Sequence, residues 1–171
     1  IIIGFNFLQK LITNNQNNNF YNFLLLNLVS CKSFIFNVAF INFSGIQLLL
    51  DTFKTLEDLN IRGKIFTSTY LNFTEVKALE KIREFKNIEL KIYDSNEKNI
   101  GFHAKGFIFE FEDNYNVLIG SSNITASALK SNIEWNLNIN IKKDYFFLIN
   151  IKNEFNTLWE ESFFVNDSSE S

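Results

Sequence analysis

Two runs of this chain alternate residue by residue with apolar bulk on one side: Phe34, Phe36, Val38 and Phe40, then His103, Lys105, Phe107 and Phe109. Side chains two apart share a face of a β-strand, and Phe and Val are strong strand formers. Both runs are therefore expected to be strands. Before and between them the period changes to that of a helix. Tyr21–Ser30 reads as a helix, and Ser44 as the N-cap of another that carries Ile46, Leu49, Leu50, Phe53 and Leu56 on one face. Asn72-x-x-Glu75 has the form of a capping box, opening a helix with Val76, Leu79, Ile82 and Phe85 inward.

Further strands are expected at Lys64–Thr69 and Ile88–Tyr93, followed by a polar loop at Asp94–Asn99. His103–Phe111 and Tyr115–Ile119 are joined by the turn residues Glu112, Asp113 and Asn114. Ile133–Ile141 is a further strand, with Trp135, Leu137, Ile139 and Ile141 on one face and Glu134, Asn136, Asn138 and Asn140 on the other. A last amphipathic helix carries Leu148, Ile151, Phe155, Leu158 and Trp159. Alternating β-α-β-α-β order with later hairpin-like strands implies an α/β fold: a mixed β-sheet flanked by helices, in an α/β/α sandwich.

A chain of 171 residues fits one domain with a sizeable core, and a hydrophobic content of 46% excludes general disorder. The boundaries read as a poorly defined polar segment at 1–19, a domain at 20–165 and a tail or linker start at 166–171. Asn14–Asn19 reads as a loop. A net charge of −3 gives no global electrostatic argument for nucleic acid. The single cysteine, Cys31, cannot form an internal disulfide and suits a reducing, cytoplasmic compartment. Ile1–Ile12 is interrupted by Asn6, Gln9 and Lys10 and lacks a signal-peptide layout, while Phe23–Val29 is too short to span a bilayer. With no methionine anywhere, the sequence reads as a piece of a longer coding sequence.

The chemistry concentrates in His103-Ala104-Lys105, in Gly120-Ser121-Ser122-Asn123 and in Glu134. If His103 and Lys105 share a strand face, a nucleophile or base projects beside a fixed positive charge. The Gly-Ser-Ser-Asn segment ends the apolar run Val117-Leu118-Ile119, so small hydrogen-bonding groups gather where a strand stops. Together these groups suit an oxyanion, most naturally a phosphate. Taken singly each has a plainer reading: a structural histidine, a turn in which Ser122 or Asn123 caps a helix, an exposed carboxylate. No cluster has metal-ligand spacing, so neither a metal nor another cofactor is expected. Thr67, Thr69, Tyr70 and Asn136 are weaker candidates for lining the site.

His103-x-Lys105, then Gly120-Ser121-x-Asn123, then an acid eleven residues after that asparagine, resembles the HKD signature of the phospholipase D superfamily. The resemblance extends through Val38-Ala39-Phe40-Ile41, Ser44-Gly45, Thr67–Thr74, Gly101–Gly106 and Glu134-Trp135-Asn136 to one branch, the phospholipase D-like domain N-terminal to bacterial superfamily II helicases and related restriction-type nucleases. It implies a metal-independent phosphodiesterase, a DNA endonuclease module working through a phosphohistidine. His103 would be the nucleophile or its partner, and Lys105, Ser121 and Asn123 would hold the phosphate oxygens. Glu134 would orient the imidazole. Where the family pattern has aspartate this chain has Glu110, which strand parity turns away from the chemistry.

The implied mechanism needs a second histidine, and the chain has one. The expectation is therefore a homodimer pairing two copies of His103 across a two-fold axis. DNA is the expected substrate, with a C-terminal helicase module as a further partner and no membrane. The alternatives are a catalytically weak DNA-backbone binding module, with Lys98, Lys105, Lys130, Lys142 and Lys143 as its local charge, and a lipid or small-phosphodiester hydrolase. The lack of a basic amphipathic helix weighs against the lipid.

Overall fold

A computed structural model describes residues 9–15 and 18–165. A single eight-stranded sheet runs in the order β1-β7-β6-β5-β2-β3-β4-β8. Its strands are β1 (Gln9–Ile12), β2 (Ser33–Asn37), β3 (Arg62–Ser68), β4 (Ile88–Tyr93), β5 (Gly106–Glu110), β6 (Asn114–Gly120), β7 (Asn136–Lys142) and β8 (Phe163–Phe164). β2, β3 and β4 are parallel; every other neighbouring pair is antiparallel. This is the mixed sheet flanked by helices that the strand and helix periods predict. Residues Gln9–Ile12, from the stretch that the sequence leaves undefined, form its edge.

Alternation along the strands sends apolar side chains to two cores, one on each face. On one side Phe34, Phe36, Phe107 and Phe109 are buried beneath α1 (Phe20–Leu28), α2 (Phe43–Gln47), α3 (Leu50–Asp58) and α4 (Val76–Arg83). Ring contacts link Phe20, Phe107, Phe36, Phe34, Phe53 and Phe85 in sequence, with centroids 4.9–6.1 Å apart. Such pairs contribute about 0.5–1.5 kcal/mol each beyond their buried area. On the other side Phe66, Ile108, Val117 and Ile141 meet Leu148, Ile151, Phe155 and Trp159 of α7 (Phe146–Glu160). The remaining helices are short: α5 (Ser95–Lys98) and α6 (Ala126–Lys130).

Several local expectations are corrected. β2 ends at Asn37 and not at Phe40, because the Phe40 N–H donates to Asn123 Oδ1 at 3.1 Å and the Asn42 N–H to the Ile124 carbonyl at 2.9 Å. Ser44 is not an N-cap. The helix starts at Phe43, whose N–H donates to Glu75 Oε2 at 2.6 Å, while Ser44 Oγ accepts from the Ala126 N–H. With Glu75 committed to that distant helix end, the capping box does not form. Asn72 instead lies in a 3₁₀ turn (Tyr70–Asn72) in which Leu71 and Asn72 have φ of 53° and 54°, and Val76 is exposed. Asp94–Asn99 contains α5, whose first N–H groups are capped by the Asp94 carboxylate. α6 is capped by Thr125 Oγ1 and not by Ser122 or Asn123.

β7 begins at Asn136, and at its start the asparagine face is the covered one: Asn136 and Asn138 are buried while Trp135 and Leu137 are exposed, whereas further along Ile141 of the other face joins the second core. Side-chain pairing satisfies part of that face, while the buried Asn138 Oδ1 has no hydrogen-bond partner among the described residues. Asn140 donates to Asn116 and Asn116 to Asn27, each at 2.7 Å. The Asn14 amide group donates to the carbonyls of Ala128 and Asn132, so the asparagine-rich loop ties the N-terminal edge to the far end of α6.

Candidate active site

Register brings the chemistry-bearing segments to one end of the sheet. Asn37 pairs with Gly106, Gly106 with Ile119 and Gly120 with Asn136. The ends of β2, β3, β4 and β6 and the starts of β5 and β7 thus lie together, and loops from all of them meet there. Irregular segments carry functional groups because a rigid sheet holds their ends while their side chains stay free of ladder constraints.

His103, Ala104 and Lys105 are not within a strand: β5 starts one residue later, at Gly106. The shared-face argument from strand parity therefore does not apply to them. What fixes this segment is the Lys105 carbonyl, which accepts from the Gly120 N–H at 3.3 Å, laying it beside Gly120–Asn123. His103 is exposed, and its ring stands edge-on to that of Tyr70 with centroids 4.6 Å apart. His103 lines a groove of about 190 Å³ together with Tyr93, Ile100, Phe102, Ala104 and Leu158. Lys105 is half-buried; that burial pushes its ammonium below the ordinary lysine range, opposed by attraction to the Glu134 carboxylate.

The Ser-Ser-Asn segment is held at every residue. Ser121 donates its hydroxyl proton to Glu134 Oε2, accepts from the Trp135 N–H at 3.0 Å, and returns its own N–H to the Trp135 carbonyl at 3.1 Å. Ser122 is fully buried and clamped to Asn136, which donates to its Oγ at 2.8 Å and accepts from its N–H at 3.3 Å. Asn123 spends its carbonyl oxygen on the Phe40 N–H, so its amide –NH₂ is the end left to donate. Gly120 permits this closeness: a Cβ there would stand 2.2 Å from the Trp135 carbonyl oxygen and 2.4 Å from Asn136 Oδ1.

Ser121 and Glu134 are in direct contact, Lys105 is tied to Gly120 through its carbonyl and to Glu134 electrostatically, and Asn123 follows in the same loop. Glu134 differs from the expectation. Its hydrogen bond goes to Ser121, a residue thirteen positions away, and its electrostatic partner is Lys105; the ring beside His103 is Tyr70. Thr67 is buried and bonded to Thr74, and Thr69 is bonded to Asp94. Asn136 has a larger part than its plain position in an Asn-rich strand signals. Glu110 lies at the opposite end of β5, roughly 16 Å along the strand from Lys105, bonded to Ser33 at 2.8 Å and to Lys143 at 3.1 Å. Burial raises its pKa, but those two donors outweigh that and hold the carboxyl below its usual range.

The other lysines are scattered. Lys98 pairs with Glu161, Lys143 with Glu110, and Lys130 lies over the Tyr21 ring. Among the described residues no group of three or more His, Cys, Asp or Glu is placed to hold a metal ion, and no helix is long and apolar enough to cross a membrane.

No curated protein matches the chain in sequence. Solved structures match its fold. NucT from Helicobacter pylori superposes with a TM-score of 0.69 at 16% identity, covering 92% of this chain and 98% of that one. A phospholipase D family member, Nuc from Salmonella typhimurium, gives 0.67 at 16% identity, covering 93% and 98%. Phosphatidylserine synthase from Haemophilus influenzae Rd KW20 gives 0.68 at 14% identity, where 92% of this chain spans 40% of the larger enzyme. At such identities the likeness is one of fold. The family model described as "Cardiolipin synthase, PLD-like domain" matches residues 25–159, and with that match over most of its length the chain belongs to the phospholipase D superfamily.

Proposed function

We propose that this domain is a metal-independent phosphodiesterase that cleaves DNA internally, with His103 as the nucleophile. The observation that carries the reading is the Gly120 N–H to Lys105 carbonyl bond, which couples the only histidine's segment to the Ser121–Asn123 donors. Nuc and NucT, whose lengths this chain matches almost fully, support the nuclease class over the larger lipid enzyme.

The chemistry follows from the charges. A phosphodiester repels anionic attackers, so a neutral imidazole is the suitable nucleophile, and the phosphate needs fixed donors as charge builds. His103 nitrogen bonds to phosphorus while the P–O bond to the leaving oxygen breaks. A second imidazolium gives that oxygen its proton. The now neutral second imidazole takes a proton from water, the hydroxide displaces His103, and the P–N bond breaks. Lys105, Ser121 and the Asn123 amide offset the charge on the non-bridging oxygens. Since the chain holds one histidine, the second imidazole is His103 of another copy in a homodimer.

A second reading is a DNA-backbone binding module of a helicase or restriction system. It is favoured by the Glu134 carboxylate being engaged with Ser121 and not with the imidazole. One experiment separates the two. Labelled DNA is incubated with wild type and His103→Ala in the presence of chelator. Cleavage that survives the chelator and disappears in the variant supports the enzyme. Salt-sensitive binding without cleavage by either protein supports the binding module.

A further inference from the structure

The groove beside His103 has a character that the phosphate chemistry does not use. Tyr93 and Phe102 lie buried at its inner side, their rings 5.2 Å apart and tilted by 45°. α7 contributes Leu158, and Ile100, 56% exposed, stands at the rim. Apart from His103, no side chain that lines it carries charge. The groove is also open at Gly101, where a Cβ would meet only the Tyr70 side chain, at 3.4–3.6 Å. At about 190 Å³ it is smaller than the roughly 300–1,000 Å³ that encloses a drug-sized molecule. It has room for one planar ring system, and not for a base pair or a pair of acyl chains.

We propose that this groove receives an unpaired nucleobase from a nucleotide next to the scissile phosphate, which makes single-stranded DNA the substrate class of the domain. The proposal rests on the phosphodiesterase reading, since His103 is then both a wall of the groove and the group that attacks phosphorus. Charge selects the occupant. The chain carries a net charge of −3, and Lys98 and Lys143 are paired with Glu161 and Glu110, so few phosphates can be neutralised beyond the one at Lys105. The hold on a flanking nucleotide must then come from its base. Stacking against aromatic walls supplies it without sequence preference, because every base has a π-face. In a duplex the neighbouring pairs cover those faces, and drawing a base out costs its stacking and pairing.

The test uses an oligonucleotide with a single phosphodiester among methylphosphonate linkages. It is offered as a single strand, as a duplex, and as single strands lacking the base on one or the other side of that phosphodiester. Wild type is compared with Gly101→Leu, which fills the groove, and Ile100→Ala, which strips its exposed rim; circular dichroism confirms folding. The expected kcat/KM is at least ~10-fold higher for the single strand than for the duplex, and falls ~10-fold or more when one of the two bases is removed. Gly101→Leu should show that loss on the intact strand and no further loss on the abasic one, a pattern that general damage to the site does not give. Ile100→Ala should show a smaller loss of the same kind. A duplex cleaved as fast as the single strand overturns the proposal, as does base removal without effect on either side. So do folded groove variants that cleave the intact strand like wild type. Hydrolysis of phosphatidylglycerol in mixed micelles that Gly101→Leu abolishes, with DNA cleavage indifferent to the bases, gives the groove to a lipid and overturns it too. If nothing is cleaved, fluorescence anisotropy of the same labelled strands decides. Binding that weakens ~10-fold on base removal and in Gly101→Leu leaves the base pocket standing and removes only the phosphodiesterase reading; binding indifferent to both changes removes the two together.

Discussion

The Tyr70 ring meets His103 edge-on, with centroids 4.6 Å apart and planes inclined by 69°. Tyr70 sits in the 3₁₀ turn that follows β3, where Leu71 and Asn72 occupy the left-handed region that branched or bulky residues avoid. The turn is held from outside: the Tyr70 N–H donates to Ser68 Oγ at 3.2 Å, and Asn72 Oδ1 accepts from Asn96. Strain maintained by neighbouring bonds is a means of fixing a side chain next to chemistry.

Tyr70 is thus expected to act as a positioning residue. Tyr70→Ala should lower kcat by roughly 10-fold or more, since small misplacement of a reacting group is costly. KM should change less. Tyr70→Phe keeps the ring and should recover most of the activity. Equal losses in the Phe and Ala variants would show that the hydroxyl, and not the ring edge, is what matters.

Lys105 provides a pH test. Burial lowers its pKa, so its charge is lost at a lower pH than that of a solvent-exposed lysine, and the alkaline limb of kcat/KM should begin correspondingly early. Lys105→Arg keeps its charge across that range and should move the limb upward, although its fork fits the site differently and the plateau should drop. Glu134→Gln removes the attraction that opposes burial, so the limb should move further down. A pH profile indifferent to both substitutions would separate Lys105 from the alkaline limb.

The Ser121–Glu134 bond gives a structural counterpart. Glu134→Ala leaves the Ser121 hydroxyl without its acceptor beside a carbonyl and an N–H of Trp135. The pair is exposed and water can replace the lost acceptor, so losing this hydrogen bond costs at most about 0.5–1.5 kcal/mol. The expected outcome is a lower urea midpoint for Glu134→Ala than for Glu134→Gln, whose amide oxygen still accepts. Activity should fall in both, because both remove the carboxylate near Lys105.

Period and turn chemistry made most of the fold legible before any coordinates. Strands with Phe on alternate positions, such as Phe34 and Phe36, have one stable solution: that face goes to the core. What was illegible depended on distant partners. Glu75 reads as the acid of a local capping box, but its carboxylate serves Phe43, thirty-two residues away. Asn136, Asn138 and Asn140 read only as one polar face of a strand, with nothing to show that the first is clamped by Ser122 or that Asn140 is bonded in a chain to Asn116 and Asn27. At the site, the order and spacing of His103, Lys105, Ser121 and Asn123 carried the reading. The contacts of Glu134 and Tyr70 did not, because they depend on how loops cross at the sheet end.

Cys31 is the one thiol, and it is only 5% exposed, packed with Leu24, Leu28 and Phe34 in the first core. Burial pushes its pKa from 9.0 up to about 12; the hydrogen bond at its own backbone acts the other way, and Glu110 adds a smaller upward push. A raised pKa means the folded state holds this proton more tightly than the unfolded chain does. Its contribution to stability is therefore complete below pH 9 and is lost as pH rises from 9 towards 12. The slope cannot exceed one proton, or about 1.4 kcal/mol per pH unit. Lysines and tyrosines titrate in the same range, so the informative quantity is the difference between wild type and Cys31→Ala in urea unfolding at pH 8 and pH 10.5. Wild type should lose more stability over that interval than the variant does, and its native thiol should react with a disulfide reagent only as fast as the protein unfolds. Rapid reaction of the folded protein at pH 8 would show that the thiol is accessible and that burial does not control its titration.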